Sequence, residues 1–308
     1  MPKTLNIALN MFNFQWSFPE IVADERGLFE SHGLDVRWRD ITPKGTADKS
    51  ALYTKLLATG KTDVYHAGEW ACILRVLSSQ GARIAAKSVP SPGTTNSTFS
   101  LWVRKDSGYS SPRELAGKPV AIELGTGSYY TTLQDLERFI PRSSVKLVQV
   151  GEPHKRFLAL LEGKVEAASL LSPWADFGEA ASLVEILRTK RSNPTTTVVR
   201  LDDDADKLKR FFLATNEAIE AIDEHPEEFR ELYFRKAGRA IAEMPVRVRR
   251  MTESVSKTLL VPRWNPWEAY TRRDFQETYR WMVERDLAQA GHTSDQVVAA
   301  SAPKIFAE

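Results

Sequence analysis

Four short stretches of this chain carry side chains suited to binding or activating a small molecule. The first is Asn10-Met11-Phe12-Asn13-Phe14-Gln15-Trp16, three aromatic rings interleaved with amides. Aromatic faces stack on a flat ring and amides fix its orientation, which puts Asn13, Phe14 and Trp16 forward as ligand contacts. The competing reading makes Phe12 and Phe14 core residues. The second stretch, Gly45-Thr46-Ala47, opens a helix, where Thr46 either caps the first turn or leaves free N–H groups for an anion. The third is Tyr65-His66-Ala67-Gly68-Glu69-Trp70. An imidazole and a carboxylate three residues apart fall on one face of a helix, so His66 and Glu69 are the pair to expect if the chain performs acid–base catalysis. A satisfied structural histidine is the plainer alternative. The fourth is Gly125-Thr126-Gly127-Ser128-Tyr129-Tyr130, a glycine loop between a strand and a helix. There the backbone can approach an oxyanion at the helix start, with Thr126, Gly127, Ser128 and Tyr129 around it.

Other chemistries lack their residues. The five histidines stand at 32, 66, 154, 225 and 292, and Cys72 is the only cysteine, so neither a metal site nor a disulfide is expected. The glycine loop lacks the Gly-Lys-Ser/Thr ending of a nucleotide-binding P-loop, and no Gly-x-Ser-x-Gly elbow occurs. No bound cofactor is expected. Cys72 reads as a core thiol instead of a nucleophile. A net charge of +2 gives no pull toward nucleic acid. No apolar run approaches a membrane span. The opening residues lack a secretory signal, which favours a cytoplasmic protein, or a periplasmic one if the true start lies upstream.

Positioning those four stretches requires alternating strands and helices, the pattern of a parallel sheet with crossover helices. Strands are predicted over 5–9, 34–39, 63–65, 83–87, 99–104, 119–123, 145–150, 167–171 and 182–187. Helices are predicted between them, over 18–32, 47–59, 69–79, 112–116, 129–139 and 153–162. From 205 onward the chain reads as helical (206–223, 226–238, 245–258, 266–290), with a loose surface tail over 295–308.

Four motifs then resemble a known family. They are Ala23-Asp24-Glu25-Arg26-Gly27-Leu28-Phe29-Glu30-Ser31-His32-Gly33-Leu34-Asp35-Val36, Leu57-Ala58-Thr59-Gly60-Lys61-Thr62-Asp63, the run from Trp102 through Leu115-Ala116-Gly117-Lys118 to Ser128, and Leu160-Leu161-Glu162-Gly163-Lys164 followed by Ser172-Pro173-Trp174. Their order is similar to the SsuA/THI5-like family, which includes sulfonate, taurine and thiamine-precursor binders and the yeast-type pyrimidine synthases. The resemblance implies the type II periplasmic-binding-protein fold, α/β, with two lobes of mixed, mostly parallel sheet flanked by helices and a helical C-terminal region. It divides the chain into 1–101 plus 199–308 and 102–198, hinged near Trp102 and Val198, with a ligand cleft between the lobes. His66 and Glu69 fall where related binders place specificity residues, and Pro173 and Trp174 close the far wall. Two functions follow. One is a solute-binding component of an ABC importer, taking a flat aromatic, heteroaromatic or sulfonate-like ligand and docking on a permease. The other is a cytoplasmic enzyme on the same fold, such as a desulfinase, decarboxylase or pyrimidine synthase. The second lacks that branch's lysine, since none occurs between Lys61 and Lys87.

Overall fold

A computed structural model describes residues 2–42, 49–79, 81–89, 98–189 and 194–307. Thr46 lies outside the described residues. The first strand, β1 (Lys3–Leu9), fully buries Leu5 and Ile7 and runs parallel to β2 (Leu34–Asp40) from Lys3 opposite Leu34 to Leu9 opposite Asp40. Between them lie α1 (Phe18–Glu25) and α2 (Leu28–Ser31), with Pro19 in the first turn of α1, where its missing N–H costs nothing. Helix α3 (Lys49–Ala58), strand β3 (Val64–Gly68), helix α4 (Glu69–Leu77) and strand β4 (Ala82–Ser88) complete this first passage.

The second sheet is built next, from β5 (Ser100–Arg104), β6 (Pro119–Ile122), α5 (Gly127–Leu136), β7 (Lys146–Gln149), α6 (Pro153–Leu161), β8 (Ala167–Leu170), α7 (Asp176–Ala180) and β9 (Leu183–Arg188). The chain then returns as β10 (Thr195–Arg200), followed by α8 (Ala205–Glu224), α9 (Arg230–Ala242), α10 (Val246–Val255), β11 (Glu268–Ala269), α11 (Arg272–Val283) and α12 (Ala302–Ile305). The strand orders are β11-β4-β10-β3-β1-β2 and β7-β6-β8-β5-β9. In each sheet one long-range strand, β10 or β5, runs antiparallel to both neighbours, while the βα-connected strands are parallel. The chain therefore passes between the sheets twice, after β4 and after β9. The expected crossings near Trp102 and Val198 instead fall inside β5 and β10.

The aspartate of the second motif works as a staple. Both the backbone N–H and the side-chain amide of Asn6 donate to Asp63 Oδ2, at 2.6 and 3.0 Å, and Lys207 Nζ lies 3.3 Å from Oδ1. It joins β1, the entry to β3 and α8, which explains an acid at 6% exposure.

Two expectations for the C-terminal part need correction. The stretch predicted as one helix from Pro266 begins instead as extended chain and β11, because Ala269 pairs with Ala86 at the edge of the first sheet; α11 starts only at Arg272, capped by Thr271. The tail is not loose. Ile84 N–H donates to Val297 O at 2.7 Å and Ala299 N–H to Ile84 O at 2.9 Å, and Val297 and Ile305 are buried. Apolar residues on both sides of that backbone pairing hold the segment down.

In the second sheet, a Cβ on Gly178 would sit 2.6 Å from the Trp102 ring, which is itself buried and tied by Nε1 to Ser100 Oγ at 2.7 Å. Helix α7 packs this close only because residue 178 has no side chain. Gly178→Ala gains helix propensity but overpacks a fixed ring, so urea unfolding is expected to show a net loss of about 1–3 kcal/mol. A gain in stability would mean that Trp102 is free to move aside.

Candidate functional site

Strands β1, β3, β6 and β8 end at one seam between the sheets. Asn10 follows β1, His66 to Gly68 close β3, Glu123 follows β6 and Leu171 follows β8, and all of them line a single cleft. Carboxyl ends of parallel strands are where helix starts and free backbone groups converge. The cleft spans about 500 Å³ with its mouth, and its walls stand close together, with Trp16 and Phe99 ring centroids 6.0 Å apart across it.

The first aromatic stretch forms two 3₁₀ turns over Met11–Ser17, joined by a kink at Asn13 (φ −128°, ψ 34°). With three residues per turn, Asn10, Asn13 and Trp16 share a face, and all three line the cleft. Asn10 Oδ1 caps the turn by accepting Phe12 N–H at 3.0 Å. Both asparagine side chains donate across the seam to Glu152, just ahead of α6. Trp16 faces Phe99 of the second sheet, ring centroids 6.0 Å apart. The other face turns inward. Phe14 packs on Phe18 and Tyr233 at 6.3 and 5.0 Å and is a core residue instead of a cleft residue.

His66 lines the cleft, but it does not pair with Glu69 on a helix face, because it sits in β3 while Glu69 opens α4. Glu69 is buried in the first-sheet core. Its oxygens accept Tyr270 OH and Thr278 Oγ1, each at 2.7 Å, and burial pushes its carboxyl up to about 7. His66 Nδ1 meets Thr197 Oγ1 at 3.0 Å, and Nε2 lies 3.5 Å from Glu20 Oε1. Both side chains are fully buried. Burial pushes the imidazole down to about 3 and the Glu20 carboxyl up to about 8. Near neutral pH this is an uncharged acid beside an uncharged imidazole. Cys72 is also buried, its thiol pushed up to about 11.

On the opposite wall, the glycine loop presents Thr126, Gly127 and Ser128 to the cleft. The positive φ lies at Gly125 (+67°), not at Gly127. Gly127 is needed for closeness, since a Cβ there would stand 2.9 Å from the Phe99 ring and 4.0 Å from Trp16. The Ser128 hydroxyl is used within the loop, accepting Glu123 N–H at 3.0 Å and lying 3.0 Å from Thr126 Oγ1. Tyr129 turns away onto Tyr130, which meets Trp70 at 5.5 Å. Pro173 and Trp174 do not form the far wall. Trp174 is in the core against Phe157 and Phe177, and Leu171 lines the cleft in their place.

Sequence reasoning missed Tyr53, Arg75, Glu123 and Arg156, all cleft residues. The Arg75 guanidinium lies over the Tyr53 ring at 4.5 Å. Its signal was present: Gly68, Ala71 and Arg75 follow the three-and-four spacing of one helix face. Arg156 donates to Ser169 O and Gly151 O at 2.7 and 2.6 Å; burial lowers it to about 10, which leaves it a cation at neutral pH. Two guanidiniums and the first turn of α5 thus face one lining carboxylate, Glu123. Among the described residues no His/Cys/Asp/Glu group is arranged to hold a metal, and no helix is long and apolar enough to cross a membrane.

The raised Glu20 carboxyl has a measurable consequence. Between its ordinary value and about 8 the folded chain holds a proton that the unfolded chain has lost, so stability falls as pH rises through that window. His66 works in the opposite direction, but only below its unfolded value of about 6.5. The unfolding free energy should therefore decline from about pH 6.5 to 8, with Glu69 adding to the slope. Glu20→Gln should flatten that decline in urea titrations. An unchanged slope would show that Glu20 is ionised in the fold.

Comparison with solved structures finds the same architecture at low identity. The alkanesulfonate-binding protein SsuA from Xanthomonas axonopodis pv. citri, bound to MOPS, superposes with a TM-score of 0.68 at 15% identity, covering 98% of each chain. The periplasmic aliphatic sulphonate binding protein SsuA from Escherichia coli gives 0.69 at 14%, covering 97% of this chain and 92% of that one. The desulfurization enzyme DSZB gives 0.59 at 13%, covering 99% of both. No curated protein sequence matches this chain significantly. The fold is thus the periplasmic-binding-protein fold. The NMT1/THI5-like family profile matches residues 17–229, well over half of the length, and the chain belongs to that family.

Proposed function

We propose that this chain is a solute-binding protein that closes its two lobes over a small organic anion with a flat or apolar body and delivers it to the permease of an ABC importer. The observation carrying this is the composition of the cleft at the strand ends: a Trp16–Phe99 wall, two buried guanidiniums and the N-terminal turn of α5, against a single lining carboxylate. An aromatic wall takes a ring or alkyl chain, and guanidiniums with a helix start take a sulfonate or carboxylate. Sulfonate-binding proteins among the structural neighbours agree with that chemistry. The enzymatic alternative, with DSZB as its neighbour, needs a nucleophile or base. In this cleft the histidine is fully buried and neutral, bonded through Nδ1 to Thr197 with Nε2 3.5 Å from the Glu20 carboxyl, and the cysteine lies in the core as a thiol.

The test is calorimetry on protein stripped of co-purified ligand by unfolding and refolding. Alkanesulfonates, aryl sulfonates, aryl carboxylates and neutral heteroaromatics are titrated in turn, with small-angle scattering on each mixture. Anions are expected to bind and to reduce the radius of gyration. Binding of none of the anions, or turnover of one of them, would overturn the reading.

For an anion identified in this way, Trp16→Ala is expected to weaken binding by about 1–3 kcal/mol, as loss of a central aromatic anchor does. Gly127→Val should weaken it more than Ser128→Ala, because its branched side chain drives into Phe99 and fills the cleft, while the Ser128 hydroxyl bonds within its own loop. Circular dichroism confirms that each variant is folded. A folded Gly127→Val that binds like the parent would remove the glycine loop from the site.

A further inference from the structure

A second pocket lies between the sheets on the α7 side, away from the strand ends. It spans about 1100 Å³ with its mouth, against about 500 Å³ for the main cleft. One wall is Trp102 of β5 with Asp176, Glu179 and Ala180 of α7, and the facing wall is Val255 to Leu260, after α10. The walls therefore belong to both halves of the molecule. Trp102, Val255, Leu259 and Leu260 give the pocket an apolar side, set against the polar side formed by Asp176, Glu179, Arg188 and Thr258, and Leu260 is 53% exposed at its rim.

Its charge is one-sided. Arg188 lines the pocket, but Glu185 takes its guanidinium on two oxygens, Nε to Oε1 at 2.8 Å and Nη2 to Oε2. Among the described residues no cation lies within 4.0 Å of the Asp176 or Glu179 carboxylate, although Arg188 acts on Asp176 from farther off. Asp176 Oδ2 accepts Ser172 Oγ at 2.5 Å, and Ser172 Oγ in turn accepts Tyr233 OH at 3.1 Å. One oxygen is thus held from behind by a hydroxyl chain while the residue faces the pocket. Burial raises this carboxyl to about 7 despite the pull of Arg188 nearby, as expected of an acid short of compensating positive charge. A carboxylate oriented by a relay, in a pocket with an indole ring and leucines on one side, is what an organic cation needs.

We propose that this pocket is a second ligand site, which takes a compact organic cation, an amidinium or primary ammonium on a short apolar body, with its charge on Asp176 and its body between Trp102 and Leu259. The site is independent of the anion cleft and of the transport reading. It is also placed to communicate with that cleft. Leu171, which lines the cleft, precedes Ser172 in sequence, and Tyr233 at the far end of the relay packs on Phe14 beneath the Asn13–Trp16 turn.

The experiment titrates the whole chain with benzamidine, cationic at neutral pH, and with benzamide and benzoate as neutral and anionic matches of the same shape. Binding is followed by calorimetry and by ligand-observed NMR. Benzamidine should bind and benzoate should not, with benzamide at least about tenfold weaker, the loss expected for a charge-assisted bond. Asp176→Asn keeps the shape and the Ser172 bond and should weaken benzamidine by a similar factor. Ala180→Trp, on the exposed face of α7, fills the pocket without touching the carboxylate and should abolish binding while circular dichroism stays unchanged. No binding of benzamidine, equal binding of benzamide, or binding unaffected by both substitutions would each overturn the proposal.

Discussion

A carboxylate taken out of water must be met by donors, and Glu152, at 4% exposure, draws two of its own from across the seam. Much of the cleft follows from that requirement. Asn10 and Asn13 can both reach Glu152 only from one face of a tight turn, so the chain after β1 winds with three residues per turn and kinks at Asn13. That winding sends Trp16 to the same face and into the cleft. It sends Phe12 toward His154, at 4.5 Å, and Phe14 into the core. One polar contact between the two halves thus sorts the aromatics into cleft wall and packing.

The same loop shows what was legible in the sequence. The alternation of strands and helices and the strand-end position of the first, third and fourth stretches follow from hydrophobic periodicity and glycine placement, which are local signals. Asn13, Trp16, Thr126, Gly127 and Ser128 reach the cleft from the turns after β1 and β6, and His66 reaches it from within β3 itself. What failed was decided by partners distant in sequence. Glu69 reads as an acid beside His66 until Tyr270 and Thr278, some two hundred residues on, claim its oxygens. Glu20, the acid that does approach His66, reads as an ordinary first-turn glutamate of α1. Arg75 resembles any charge near a helix C-terminus until the cleft forms above Tyr53. The tail after Asp295 reads as surface because its pairing with β4 is invisible locally.

Electrostatics divides the buried groups into two sets. Glu20, Glu69 and Asp176 are held by hydroxyls or face apolar surroundings, and burial raises all three toward or above neutrality. Glu20 can be kept as a neutral acid, which avoids the cost of a buried anion, while Glu69 and Asp176, at about 7, carry a charge part of the time near neutral pH. The guanidiniums have no such escape. Arg156 remains charged even after burial lowers it; two backbone carbonyls hold it, and the carboxylates of Glu123 and Glu152 are near enough to act on its charge. Its positive charge at the cleft floor is therefore fixed over the whole physiological pH range.

That fixed charge sets the condition for closure. Bringing the two walls together strips water from Arg75 and Arg156 and leaves little open space between them. Among the described residues, polar links across the seam include the buried pairs Glu152 with its two asparagines and Tyr233 with Ser172, and, farther out, His154 with Glu243 at 3.1 Å and Arg285 with Glu137 at 2.9 Å. The outer two, each partly exposed, contribute little against the desolvation of buried cations. An anion between the walls changes the balance, since it replaces the lost water with charge-assisted bonds in a low-dielectric site. In the proposed function, closure then depends on ligand because the anion binds the closed state far better than the open one, and its differential affinity alone shifts the population.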